Sequence, residues 1–189
     1  MKMVTFFIQG SSIQVPVPQG QKSFSDGQLP KNFGKVTDTL FRGSWPSVKQ
    51  LNRMQNTLGV KTIATLHSNY GEEPSKLAKL KKELPSGMSL CEVEVLDASS
   101  FILAAQTVIN IEGPTYVHCS AGANRTGKTV LIAQILLDCN YGRVVTQQQL
   151  QKYLSQALEF GFDYEKTYKR ILEEALKILL SQGRINIAL

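Results

Sequence analysis

The 189-residue sequence is poor in the residue types that most often hold metals: two histidines, His67 and His118, and three cysteines, Cys91, Cys119 and Cys139. None sits at the close spacing of a metal-ligand pair, so no metal site and no cofactor is expected. An odd number of dispersed cysteines argues against a disulfide framework and suits a reducing compartment. Cys91 and Cys139 read as small buried hydrophobes, or as partners that protect an oxidised Cys119 by forming a disulfide. No segment approaches the roughly 18 apolar residues of a membrane span, and the run Met3–Ile8 is too short for a leader. A cytoplasmic location is therefore expected, with delivery into another cell left open. The net charge of +6 has no Arg/Lys tract behind it. It favours acidic partners in general, and nucleic acid is not expected among them. The sequence holds no internal repeat, and nothing in it speaks to oligomeric state.

What the chain does contain is an alternation of β and α patterns from Asn32 onward. Strands are expected over Thr39–Arg42, Val60–Leu66, Met88–Leu96 and Thr115–His118. Helices are expected from Pro46 to Gly59, over Glu73–Leu84, and from a Ser99 or Ser100 cap to Ile111. Three more follow over Thr126–Asp138, Thr146–Glu159 and Asp163–Gln182, and the tail from Arg184 either docks or hangs free. This order implies an α/β fold with a mainly parallel central sheet flanked by helices. Residues 1–30 read as a β-like arm and loop, either a hairpin on the domain edge or an unrelated extension, and residues 31–189 as one domain.

The richest stretch is Val117 to Gly127, Val-His-Cys-Ser-Ala-Gly-Ala-Asn-Arg-Thr-Gly. It joins an expected strand to an expected helix through small residues. Such a loop turns successive N–H groups inward, and the helix dipole adds positive potential, so Ser120, Ala121, Gly122, Ala123, Asn124 and Arg125 form a candidate phosphate cradle. N–H donors and positive charge favour the ionised form of a cysteine held there. Arg125 can fork two donors onto a tetrahedral oxyanion in the same loop. A Walker A pattern overlaps the stretch, Gly122 to Gly127-Lys128-Thr129, and would make the chain a P-loop NTPase. That reading needs a later strand ending in a magnesium-binding Asp, which the 60 residues after Thr129 do not offer, and it leaves Cys119 unexplained. Without it, Lys128 reads as a helix-surface lysine near the pocket mouth.

His118-Cys119, five residues, Arg125-Thr126 resembles the signature of the cysteine-based protein tyrosine and dual-specificity phosphatases. The flanking lines Asn32-Phe33, Leu40-Phe41-Arg42-Gly43-Ser44, Pro46 and Leu58-Gly59-Val60-Lys61-Thr62-Ile63 are more similar to the small plant-and-fungal-type atypical subgroup. The resemblance runs from about Asn32 to about Gly142. It implies that Cys119 forms a phosphocysteine, that Arg125 binds the phosphate and its transition state, that Thr126 eases thiolate departure, and that His118 supports the cradle. It also implies a phosphorylated protein as substrate, phosphotyrosine before phosphoserine or phosphothreonine. Ser120, Ala121, Ala123 and Asn124 are uncharged, whereas relatives acting on inositol phosphates often carry lysines there. A phosphoinositide, inositol phosphate or RNA 5′-phosphate substrate is the alternative, and a phosphoresidue-binding pseudophosphatase would use the same cradle without turnover.

Such chemistry needs a general acid on a loop at the C-terminal edge of the sheet. Asp97 fits: it follows the strand ending at Leu96 and precedes Cys119 by 22 residues, a spacing similar to that of the atypical subgroup. Its competing role is to cap the next helix. Glu72 and Glu73 are minor acid candidates whose loop borders the expected pocket, and His67, Ser68, Asn69 and Tyr70 of that loop are candidate substrate contacts. Arg42 reads as a rim residue or a salt-bridge partner, and Trp45 as a packing anchor.

Overall fold

The computed structural model describes residues 3–17, 27–68, 73–140, 142–163 and 166–188. The chain opens with an antiparallel hairpin, β1 (Met3–Ile8) and β2 (Ser11–Pro16). Their alternation puts Val4, Phe6, Ile8, Ile13 and Val15 on one buried face. That face joins the main core, so the hairpin of residues 3–16 packs onto the rest of the chain.

The central sheet has five strands in the order β3-β4-β7-β5-β6. β3 (Gly34–Lys35) is a short antiparallel edge on β4 (Leu40–Gly43), while β4, β7 (Thr115–His118), β5 (Thr62–His67) and β6 (Ser89–Glu94) run parallel. Every residue of β4 and β7 is buried, and all of β5 except His67, as parallel strands covered on both faces require. The antiparallel β3 makes the sheet mixed.

Two layers of helix cover it. α1 (Val48–Leu58) and α2 (Glu73–Glu83) lie on one face, where Leu51, Met54 and Leu80 pack with Phe41, Ile63 and Tyr116. α3 (Ala98–Asn110), α4 (Asn124–Asn140), α5 (Gln147–Glu159) and α6 (Lys166–Ser181) build the larger core on the other. α1 starts after Ser47, which forms a capping box with Gln50, and ends at Gly59 in the left-handed region (φ 67°). The cap of α3 is Asp97 rather than Ser99 or Ser100: the β-region dihedrals fall on Asp97, and its carboxylate accepts from the Ser100 N–H at 2.8 Å. α4 begins two residues before the expected Thr126, because the Gly127 N–H already bonds Ala123 at 2.7 Å. The tail docks: Ile185 and Ile187 are buried, and β9 (Ile187–Ala188) pairs in parallel with β8 (Val145–Thr146). No described strand after β7 joins the central sheet, which removes the NTPase topology.

Candidate active site

Cys119 follows β7 directly and is buried, and the cradle runs from it into the N-terminus of α4. The loop carbonyls are held from outside by three donors of the 32–45 segment. The Trp45 N–H donates to Ser120 (3.2 Å), the Asn32 side-chain amide to Ala121 (2.9 Å), and Arg42 Nη2 to Gly122 (2.6 Å). A carbonyl turned outward turns the following N–H inward, because the peptide unit is planar and trans. The N–H groups of Ala121, Gly122 and Ala123 thus face the inside of the loop, alongside the N–H groups at the start of α4, an arrangement able to hold an anion. Asn32 itself sits at φ 54°, in the left-handed region that asparagine enters more readily than most other side-chain-bearing residues.

Gly122 is where the loop touches β4. Its φ is 70°, and a Cβ there would lie 2.3 Å from the Gly43 carbonyl carbon and 2.4 Å from the Ser44 nitrogen. Glycine at position 122 is therefore a packing requirement. His118 beneath it is fully buried and meets Thr65 Oγ1 at 2.8 Å through Nε2. Burial pushes its imidazole down to about 3, so it is a neutral support, with Trp45 edge-on at 4.9 Å and Tyr116 stacked at 5.7 Å. Asn124 accepts from the Asp163 N–H (2.6 Å) and ties the cradle to the α5–α6 connection. Thr126 is completely buried, and its hydroxyl has no partner among the described residues.

Arg125 is clamped by Glu73. Nη1 donates to Glu73 Oε2 at 2.7 Å and to the Leu66 carbonyl at 3.2 Å, and Nη2 donates to Glu73 Oε1. Three of the five guanidinium donors are thereby used, and the remaining Nε–H and Nη2–H lie on the other edge as a two-pronged fork. Burial raises the Glu73 carboxyl, but its bonds to Arg125 and to the Ser68 N–H and hydroxyl outweigh that and hold it at about 2. By sequence alone Glu73 is only a minor acid candidate, whereas in the structure it is the carboxylate that holds Arg125. Its signal was positional: it opens α2 after β5, the neighbour of β7.

Two further cations lie inside the site. Arg42 neither rims the pocket nor pairs with a carboxylate among the described residues. It is 2% exposed, bonded to the cradle and stacked over Phe160 at 4.5 Å, and burial lowers it to about 10. Lys128 is not a surface lysine. It is 1% exposed, its ammonium lies 4.6 Å from the Phe101 ring and 4.5 Å from the Tyr168 ring, and burial lowers it to about 8. The reason is α4 itself, whose residues from Thr126 to Ala133 are all buried between neighbours, so the helix has no solvent face there.

Asp97 stands at the C-terminal edge, with β6 two strands from β7, about 10 Å across the sheet. It is exposed, and its hydrogen bonds to Ser100 lower its carboxyl, so in this state it is an ionised helix cap. His67 and Ser68 border the site, while Asn69, Tyr70 and Glu72 lie outside the described residues. The cysteines do not meet. Cys91 and Val117 face the same residue, Ala64, from opposite sides. That puts Cys91 and Cys119 more than about 10 Å apart, beyond the ~7 Å Cα limit of a disulfide. Cys139 lies at the far end of α4, about 24 Å along.

A protein-tyrosine phosphatase family model matches residues 92–176. None of the curated protein sequences compared with the chain matches it. Among solved structures, the core catalytic domain of the PP-IP phosphatase SIW14 from S. cerevisiae superposes with a TM-score of 0.55 at 20% identity, over 84% of this chain and 98% of that one. PTPMT1 does so at 0.56 and 16%, over 80% and 98%, and P. aeruginosa TpbA at 0.54 and 18%, over 79% and 91%. PTPMT1 has also been solved with PI(5)P, and TpbA with pTyr. The signature loop thus lies inside the stretch that the protein-tyrosine phosphatase family model matches, and the chain shares its fold with these small phosphatase structures.

Proposed function

We propose that the chain is a metal-independent phosphomonoester hydrolase that forms a phosphocysteine and acts on phosphoproteins, phosphotyrosine before phosphoserine or phosphothreonine. The observation that carries this reading is the pairing of three outward-held carbonyls with the open fork of Arg125, which makes a ring of donors around the place where Cys119 would attack. In the first step Cys119 Sγ attacks phosphorus in line and the bond to the leaving oxygen breaks, while that oxygen takes a proton from the Asp97 carboxyl. The loop N–H groups and Arg125 stabilise the equatorial oxygens. In the second step water attacks phosphorus, Asp97 takes its proton, and the S–P bond breaks to leave inorganic phosphate and the thiolate. The unpartnered Thr126 hydroxyl is a donor for that departing sulfur. For this cycle Asp97 must give up its bond to the Ser100 N–H when substrate arrives.

Uncharged side chains at Ser120, Ala121, Ala123 and Asn124 support a single phosphate group rather than a densely phosphorylated ring. SIW14, a PP-IP phosphatase, and the PI(5)P bound to PTPMT1 favour a second reading, an inositol phosphate or phosphoinositide. The deciding assay is hydrolysis of p-nitrophenyl phosphate in EDTA by the protein and by Cys119→Ser, followed by phosphotyrosine, phosphoserine and phosphoinositide substrates in parallel. Turnover that vanishes in Cys119→Ser and is fastest on phosphotyrosine is expected. Preference for the phosphoinositide would replace the substrate, and no turnover in chelator would refute the reaction.

A further inference from the structure

Beside the cradle, a groove of about 640 Å³ opens at the exposed Ser120 and runs between α1 and α2. Its floor is apolar, formed by the half-buried Trp45, the exposed Val48 and the buried Leu80. Its rim carries Lys49 from the first turn of α1 and Lys76 and Lys79 from one face of α2, and Glu83 is the one carboxylate among its described lining residues, 3.9 Å from Lys79. The first turn of α1 holds no acidic residue, so the helix dipole adds to Lys49. None of these groups takes part in the hydrolytic steps above. The groove is far too large for one phosphate, and its apolar floor under a basic rim matches an extended segment of mixed character.

We propose that this groove is a substrate-selecting subsite for the residues flanking the phosphorylated side chain, and that it takes an acidic peptide segment whose apolar side chains rest on Trp45 and Val48. The proposal builds on the phosphatase reading but concerns binding alone. A small polyphosphate fits less well, because it would satisfy the lysines and leave the apolar floor uncovered. The surface position of the lysines makes the selection sensitive to salt, with screening on the scale of about 8 Å at physiological ionic strength.

The test is binding to Cys119→Ser, which is readable whether or not the protein turns substrate over. Fluorescent phosphotyrosine peptides with Asp/Glu flanks and with Ala flanks are titrated by polarisation, and then again with Lys49→Glu and Lys79→Glu added. The acidic peptide is expected to bind at least tenfold more tightly at low salt. That ratio, taken within each variant so that general losses cancel, is expected to fall below threefold on charge reversal. Equal affinity for both peptides, or a ratio untouched by charge reversal, overturns the proposal. Inositol hexakisphosphate that binds more tightly than the acidic peptide, and loses more on charge reversal, also overturns it and makes the groove a polyphosphate subsite. Loss of p-nitrophenyl phosphate turnover in EDTA would bear on the reaction alone.

Discussion

Replacing Glu73 by Gln tests whether Arg125 is aimed by its clamp or by the loop alone. The side chain is 14% exposed, and its carboxyl is held at about 2 against an ordinary 4.5. A difference of about 2.5 units corresponds to about 3 kcal/mol at full strength. Solvent reaches the Ser68 side of the pair and screens it, so about 1–2 kcal/mol is the expected loss of stability at pH 7. The sign follows from a folded pKa below the unfolded one: the contribution is present above about 4.5 and disappears as the pH falls towards 2. Urea unfolding of the protein and of Glu73→Gln should therefore differ at pH 7, differ about half as much near pH 3, and converge only towards pH 2. In the same variant the guanidinium gains freedom to rotate away from its side-on fork, and kcat/KM for p-nitrophenyl phosphate should fall about 10- to 100-fold. A stability gap that persists unchanged at pH 3, or a kcat/KM within twofold of the unchanged protein, would refute the clamp.

Gly122→Ala adds a Cβ into the backbone of Gly43 and Ser44 at a left-handed φ, so phosphatase activity should drop at least about 100-fold together with a lower Tm. A variant with normal turnover would show that the loop does not rest on β4. Asp97→Asn keeps a good helix cap, so it should unfold like the parent while losing rate, whereas Asp97→Ala should also cost about 1 kcal/mol. If Asn and Ala lower activity equally little, Asp97 is a cap and not the acid. Lys128→Met replaces a buried cation by an apolar chain of similar size, so stability should hold or rise. The rate of Cys119 alkylation by iodoacetamide at pH 6 should nevertheless fall, because the ammonium whose charge interacts with the sulfur is gone. An unchanged alkylation rate would confine Lys128 to packing.

The β/α alternation, the order of elements and the strand–loop–helix around Cys119 were legible in the sequence because each is a local property. Periodicity marks the strands and helices, and the proposed nucleophile, the loop N–H groups and the proposed phosphate-binding arginine come from one uninterrupted stretch, Cys119 to Arg125. The tertiary structure decided what surrounds that stretch. Glu73 reaches Arg125 because β5 lies beside β7, and Asn32 and Arg42 reach Ala121 and Gly122 because β4 lies on the other side, pairings across 52 to 89 residues that no local pattern encodes. Lys128 shows the same limit from the opposite direction. Its charge and its place on a helix suggested a solvent-facing side, but helix exposure is set by what packs around it, and here α3 and α6 bring Phe101 and Tyr168 to its ammonium. Residue types along a short run determined the chemistry on offer; the contacts between distant strands and helices decided which of those groups are held, buried and aimed.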